Sequence, residues 1–321
     1  MRIVVAGAGA MGCRYGWKLF EANHDVLLAD FWKDHVQAIQ QNGLEVTTET
    51  STLRVPISAT EPEHIKGAAD LILVLTKATQ TESFMTHCRH LIGNHTYALT
   101  LQNGLGNVEV LEKFVPRNRL LAGVTMFATE LIHPGSIVAL GSGSTYLAPV
   151  GGDITHKIQL IVDTFQEAGL NAILSTNLQQ IVWNKVAFNC VLNPLSTLMR
   201  ASVMEVGSYS NIHELISYLL DEIMLVAKME QVYLDKEQIM TTITEQFNPA
   251  TSGHHLASMF QDIMKGQKTE IEFLNGAIVK YANRHHVSVP CNRLIVDLIC
   301  MLEQIREQQT NWDTVQSVMS R

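Results

Sequence analysis

The chain lacks any basic run, and its 23 Lys and Arg against 31 Asp and Glu leave a net charge of −8 over 321 residues. That deficit argues against nucleic acid and anionic membrane surfaces as partners. Cysteine is scarce: five residues, at 13, 88, 190, 291 and 300, an odd number with no Cys-x-x-Cys pair. Such spacing builds neither a disulfide framework nor a standard zinc site, and it fits a reduced, intracellular compartment. His87-Cys88-Arg89-His90 reads as part of an exposed helix. The pairs His254-His255 and His285-His286 have no carboxylate or cysteine at metal spacing, so no metal is expected. No stretch is both long and apolar enough to span a bilayer. The N-terminus enters a strand-like run without the charged head and apolar middle of a signal peptide, so the expected location is the cytoplasm. There is no internal repeat, no low-complexity tract, no long linker and no nucleophile elbow for Ser-His-Asp hydrolysis. Charged residues make up 17% and hydrophobic ones 46%, so a sizeable core is expected. The length suits two domains.

The first half is built of short apolar runs separated by turns and helical spacing. Arg2 to Ala6 is a buried strand by composition. Gly7-Ala8-Gly9-Ala10-Met11-Gly12 follows, then an apolar-periodic helix to about Ala22. This is G-x-G-x-x-G between strand and helix. Its glycines permit a tight turn, close approach of the backbone to a pyrophosphate and close helix packing, with the helix N-terminus facing the phosphates. Asp25 to Ala29 is the second strand, ended by Asp30. An acidic residue there holds the ribose hydroxyls of adenosine and favours NAD over NADP, whereas Lys33 and His35 just beyond could instead meet a 2′-phosphate. Residues 43–58 read as a hairpin or two short strands. Leu71–Leu75 and Tyr97–Leu101 are further strands, ending in Thr76-Lys77 and Gln102-Asn103-Gly104. Ligands in open α/β sheets lie beyond such carboxyl ends, which places Lys77 and Asn103 within reach of cofactor or substrate. Ser136–Leu140 and Thr145–Val150 are expected as antiparallel additions at the sheet edge.

From about Ser175 the pattern is helical throughout, with segments near 177–192, 202–208, 211–231, 235–246, 253–264, 268–285 and 290–308. The expected fold class is therefore α/β: a Rossmann-type doubly wound domain over 1–174, then an all-α domain over 175–321. The cleft between two such domains is the default active site. The stretch from Trp183 to Ser196, read as a buried helix, carries the oddest pattern. Lys185, Asn189 and Asn193 are four residues apart and share one face of an otherwise apolar rod. Each buried polar group costs about 1–3 kcal/mol if unpaired, so three in a row need a polar cavity, a ligand or each other. A lysine in apolar surroundings has its pKa lowered, which suits an acid that must release a proton near neutrality. The plainer alternative has Lys185 reaching to water and the asparagines joining helices. Ser258 to Gly276 is polar where a core helix should be apolar, and Glu270 there either serves chemistry or complements the positive end of a helix.

Taken together, the Gly7–Gly12 loop, Lys77-Ala78, Gln102-Asn103-Gly104, Lys185 through Asn193-Pro194-Leu195, and Ser258-Met259 through Glu270 to Asn275-Gly276 resemble ketopantoate reductase (2-dehydropantoate 2-reductase) and its relatives that make other D-2-hydroxy acids. The likeness spans nearly the whole chain. It implies reduction of a small 2-oxo acid by NADPH or NADH. Lys185 would be the general acid and Glu270 its orienting partner or a hydrogen-bond partner of the developing hydroxyl. Asn189 and Asn193 would hold substrate polar groups, Ser258 the substrate carboxylate, and Asn103 and Lys77 would lie at the nicotinamide end. Well-known members place an arginine after the second strand for the NADP phosphate; here Asp30-Phe31-Trp32-Lys33 stands instead, which leans the cofactor toward NADH.

Three competing readings differ in kind. One keeps the fold and changes the substrate to branched or aromatic 2-oxo acids with NADH. A β-hydroxyacid dehydrogenase also sets a lysine and an asparagine four apart on a helix, but the Ser258–Glu270 segment counts against it. A dinucleotide-binding sensor has no need of Lys185 with Glu270. Residues 290–308 are apolar enough to pack on the body of the domain or on a second copy in a homodimer.

Overall fold

The computed structural model describes residues 1–250 and 253–308, which form two compact units dividing at Val182 and Trp183. The first unit holds twelve strands: β1 (Arg2–Ala6), β2 (Asp25–Ala29), β3 (Leu44–Thr47), β4 (Thr52–Val55), β5 (Ser58–Thr60), β6 (Leu71–Val74), β7 (Tyr97–Thr100), β8 (Leu120–Thr125), β9 (Glu130–His133), β10 (Ser136–Val138), β11 (Thr145–Pro149) and β12 (Ala172–Leu174), interspersed with helices except within β3–β5 and β8–β11. Eight of them make one sheet in the order β12-β11-β8-β7-β6-β1-β2-β5. All neighbours are parallel except β8 and β11. The doubly wound expectation is met. Consecutive strands β1 and β2 run to one side and the chain returns to lay β6 against the other side of β1. That reversal is the topological switch point, where ligands of such sheets bind beyond the carboxyl ends.

The strands read as unbroken apolar runs because both faces are covered. Ile3, Val5, Leu71, Leu73 and Leu99 face one core, completed by Tyr15 and Leu19 of α1 (Ala10–Glu21) and by Ile161 and Phe165 of α5 (His156–Glu167). Their neighbours Val4, Ala6, Ile72, Val74 and Ala98 face the other core, with Phe84 and Met85 of α3 (Thr81–His87) and Leu111 of α4 (Asn107–Leu111). The helix α2 (Lys33–Asn42) follows β2. Cys88 belongs to this second core and is fully buried, so the segment from His87 to His90 is not the wholly exposed helix that its composition suggested.

The stretch near Ser136 is a second departure. It does not extend the main sheet. A separate four-stranded sheet has the order β4-β3-β10-β9, with β10 parallel to β3 and antiparallel to β9. A three-residue strand after a Pro134-Gly135 turn has no pattern that says which edge it joins. Register decides it, and here Ser136 pairs with Glu45, side chain to side chain as well. Thr145–Pro149 does run antiparallel to β8, but β12 covers its far side.

The remaining helices are α6 (Leu178–Met199), α7 (Val203–Gly207), α8 (Ile212–Met229), α9 (Lys236–Glu245), α10 (Ser258–Met264), α11 (Asn275–Arg284) and α12 (Pro290–Gln308). After Trp183 no strand occurs among the described residues. The helix expected over 177–192 runs on to Met199, through Pro194. A proline inside a helix removes one N–H and costs about 3 kcal/mol. The carbonyl it orphans, that of Cys190, accepts instead from the Asn275 side chain at 2.9 Å. The helix expected from 268 begins only at Asn275, after a short 3-10 turn over Ile271–Phe273. Among the described residues no helix is long and apolar enough to cross a membrane.

Candidate active site

In the first unit the glycine loop is held by its own backbone. The Gly7 N–H donates to the Ala29 carbonyl at 2.8 Å. A Cβ on Gly7 would lie 2.5 Å from the Thr76 nitrogen, and one on Gly12 would lie 1.9 Å from the Gly7 oxygen. These two glycines let β1, β6 and α1 approach one another. Gly9 is different: a Cβ there would meet nothing within 4 Å, and this residue precedes α1 with no side chain capping the helix. Its first-turn N–H groups are thus left for an anion, and the open space at Gly9 fits a diphosphate.

Asp30 stands at the carboxyl end of β2. Its carboxylate accepts from the Ala8 N–H at 2.7 Å and from the Trp32 N–H at 3.0 Å. The acid therefore shapes the glycine loop, and its remaining lone pairs can take ribose hydroxyls. Of the two bases that could have met a 2′-phosphate, Lys33 is exposed and His35 is buried. Lys33 pairs with Glu61 at 3.3 Å. His35 is fully buried, accepts from the Gly135 N–H at 3.0 Å and places its other ring nitrogen 3.5 Å from the Cys13 sulfur. Burial lowers its pKa, with the Asp30 charge opposing.

Lys77 and Asn103 lie, half-buried, just beyond β6 and β7. The side chain between those strand ends that ties them together is Gln102. It donates to the Thr76 carbonyl at 2.7 Å and to the Thr81 hydroxyl at 2.7 Å, and accepts from the Thr100 hydroxyl at 3.0 Å. Asn107 donates back to the Asn103 carbonyl at 3.0 Å and closes the loop.

In the second unit Lys185, Asn189 and Asn193 follow one another on α6. The asparagines are buried and Lys185 is half-buried. Desolvation brings the Lys185 pKa from 10.5 down to about 8, while the Glu270 carboxylate pulls it back up. The structure thus brings Lys185 and Glu270, 85 positions apart in sequence, into electrostatic contact. Glu270 is itself buried. Its neighbour Thr269 donates its N–H to Glu303 of α12 at 2.8 Å, and the Ile271 N–H donates to the Thr269 hydroxyl at 3.2 Å. Ser258 opens α10 and is exposed. Asn275, Glu303 and Asn292, whose Oδ1 accepts from the Asn275 amide at 3.0 Å, support this cluster without a signal in the sequence; the Asn275-Gly276 pair is visible there, but no residue spacing points from it to Cys190. Among the described residues no group of three His, Cys, Asp or Glu is placed to hold a metal.

The family model described as Ketopantoate reductase PanE/ApbA matches residues 3–152, and that of its C-terminal part matches 177–303. The 2-dehydropantoate 2-reductase of Lactococcus lactis is 32% identical over 308 residues, covering 95% of this chain and 99% of the relative. That of Streptococcus pyogenes serotype M1 is 31% identical over 307 residues, covering 95% and 99%. A D-mandelate dehydrogenase solved with NADH and anilino(oxo)acetate superposes with a TM-score of 0.93 at 32% identity, over 96% of this chain and all (100%) of that one. A PanE/ApbA family ketopantoate reductase from Ralstonia eutropha JMP134 gives 0.87 at 29% identity, over 96% and 100%. The chain belongs to the ketopantoate reductase family, NAD(P)-dependent oxidoreductases acting on 2-hydroxy acids.

Proposed function

We propose that this protein reduces a 2-oxo acid to a D-2-hydroxy acid with NADH in preference to NADPH, ketopantoate being the first substrate to test. Residues 1–174 serve as the dinucleotide domain and 175–321 as the substrate domain. The observation that carries the reaction type is the half-buried Lys185, under the charge of buried Glu270, on a helix that also presents buried Asn189 and Asn193. The cofactor, when bound, supplies the hydride. Lys185, held as an ammonium, stabilises the charge that builds on the carbonyl oxygen and gives up its proton there. A pKa near 8 leaves most of it protonated at neutral pH yet makes proton release cheap. Glu270 keeps the lysine from discharging early against its desolvation. Asn189 and Asn193 hold the polar groups of the substrate, and Ser258 takes its carboxylate, an orientation effect. Asn103 and Lys77 serve the nicotinamide end. Gly7, Ala8, Gly9, Ala10, Met11 and Gly12 hold the diphosphate.

NADH preference rests on charge. A 2′-phosphate would approach the Asp30 carboxylate, with His35 sealed in the core and the charge of exposed Lys33 offset in part by Glu61. The same feature favours a second reading of substrate, branched or aromatic 2-oxo acids, supported by the likeness to the D-mandelate dehydrogenase solved with NADH. Initial rates with ketopantoate, 2-ketoisovalerate and phenylpyruvate, each with NADH and NADPH, test both. Ketopantoate leading with NADH supports the proposal; phenylpyruvate leading moves it to the second reading. Cofactor binding without turnover of any of them refutes both and leaves a sensor.

A further inference from the structure

Asn275 is fully buried, and both hydrogens of its amide are used. One goes to the Cys190 carbonyl on α6 at 2.9 Å, the other to the Asn292 Oδ1 on α12 at 3.0 Å. The orientation is forced, because turning the amide over would set its oxygen against two oxygens. Its own Oδ1 meets no partner, a cost accepted for the two donations. Asn292, also fully buried, is locked in turn. Its Nδ2 donates to the Leu219 carbonyl at 3.2 Å and to Glu222 at 2.8 Å, and Glu222 of α8 accepts the Cys291 and Asn292 N–H groups at 2.8 Å each. A fixed polar chain thus runs from the start of α12 to the one carbonyl of α6 that Pro194 leaves open.

The two ends of the Asn275–Cys190 bond have matching neighbours. Lys185 lies five residues before Cys190, and Glu270 five residues before Asn275. The bond is therefore a strut between the two segments that carry the charged pair. We propose that Asn275 is the positioning residue that sets the separation of Lys185 from Glu270, acting through the Cys190 carbonyl and not by touching substrate. The inference rests on the reading of Lys185 as the acid, but the strut has its own observable. Glu270 is the charged group acting on Lys185, so any loosening of the strut weakens that support. Desolvation then has less opposition and the amine discharges at lower pH.

The test uses the full chain with Asn275→Leu, which keeps the branched heavy-atom skeleton and removes both donors. Brief acetylation at a series of pH values, with Lys185 followed by peptide mass spectrometry, gives the midpoint at which its amine becomes neutral, with no turnover required. The midpoint is expected to fall by about half a pH unit or more. The alkaline limb of kcat/KM for 2-oxo acid reduction should move with it while the KM for cofactor stays put. Ile216→Val, a core truncation in α8, is the control for lost stability alone and should leave the midpoint in place. Should the leucine variant not fold, Asn275→Ser, whose missing volume water can fill, replaces it with the same expectation. A midpoint that is unchanged, or that rises because water has reached the amine, overturns the strut. A wild type inert toward every 2-oxo acid but with the midpoint shift intact overturns the reading of Lys185 instead and leaves the strut standing.

Discussion

Glu270→Gln isolates what the carboxylate does for Lys185, because the amide keeps shape and hydrogen-bonding capacity and removes only charge. With a pKa of about 8, Lys185 in the parent is half protonated at pH 8 and about 99% protonated at pH 6. Loss of a nearby opposite charge lowers a lysine pKa by about 1 pH unit or more. At pH 8 the variant would then hold the proton in roughly a tenth of its molecules, about a fivefold loss in the form that can reduce substrate. At pH 6 roughly nine-tenths would still hold it, so the loss nearly vanishes. The sign reverses for the back reaction. Oxidation of the hydroxy acid needs a neutral lysine to take the proton, so at pH 8 the competent fraction rises from half to roughly nine-tenths. Following reduced nicotinamide by absorbance in both directions, from pH 6 to 10, reads all of these at once. A loss of reduction rate equal at every pH, or an alkaline limb that moves upward, would refute the idea that Glu270 works by holding the lysine proton.

Lys185→Ala should lower turnover by about 10²–10⁴ while cofactor affinity, measured by fluorescence titration of NADH, survives; normal turnover would remove the lysine from its role. Asp30→Asn keeps an acceptor for the Ala8 N–H and drops the charge, and the NADPH-to-NADH ratio of kcat/KM should rise about tenfold or more. An unmoved ratio would mean that the carboxylate does not choose the cofactor. His35 is buried with a lowered pKa, so below pH 6.5 the unfolded chain gains a proton that the folded one refuses. Its stability contribution is full above pH 6.5 and is lost as pH falls toward the folded pKa. His35→Asn still offers an acceptor to the Gly135 N–H and cannot titrate, so the drop in Tm between pH 7.5 and pH 5 should shrink; an identical drop would clear His35.

The main sheet was legible because its signals are local. Apolar runs of four or five residues, glycines at a fixed offset and an acid at a strand end each declare themselves within a short window. Lys185, Asn189 and Asn193 were legible for the same reason, since helical spacing puts them on one face. Local signals failed where distant pairing decides. Ser136–Val138 joins β3 by register, ninety residues back in the chain. Apolar spacing carried the helical segment only to about 192, whereas α6 runs through Pro194 to Met199, and a side chain from 275 takes the carbonyl the proline vacates. Asp30 shows a third kind of gap. Its place at the end of β2 suggests a ribose ligand, but that it also braces the Ala8 N–H of the glycine loop depends on how the loop folds back, 22 residues away, which no local pattern announces.

A helix that borrows one of its own backbone bonds from another segment cannot be inherited as a module. Chimeras that pair residues 178–199 with a body lacking matched residues at 275 and 292 would leave the Cys190 carbonyl with no donor to answer it. A chain that loses Asn275 is then pressed to restore an N–H at 194, so that the Cys190 carbonyl regains a donor.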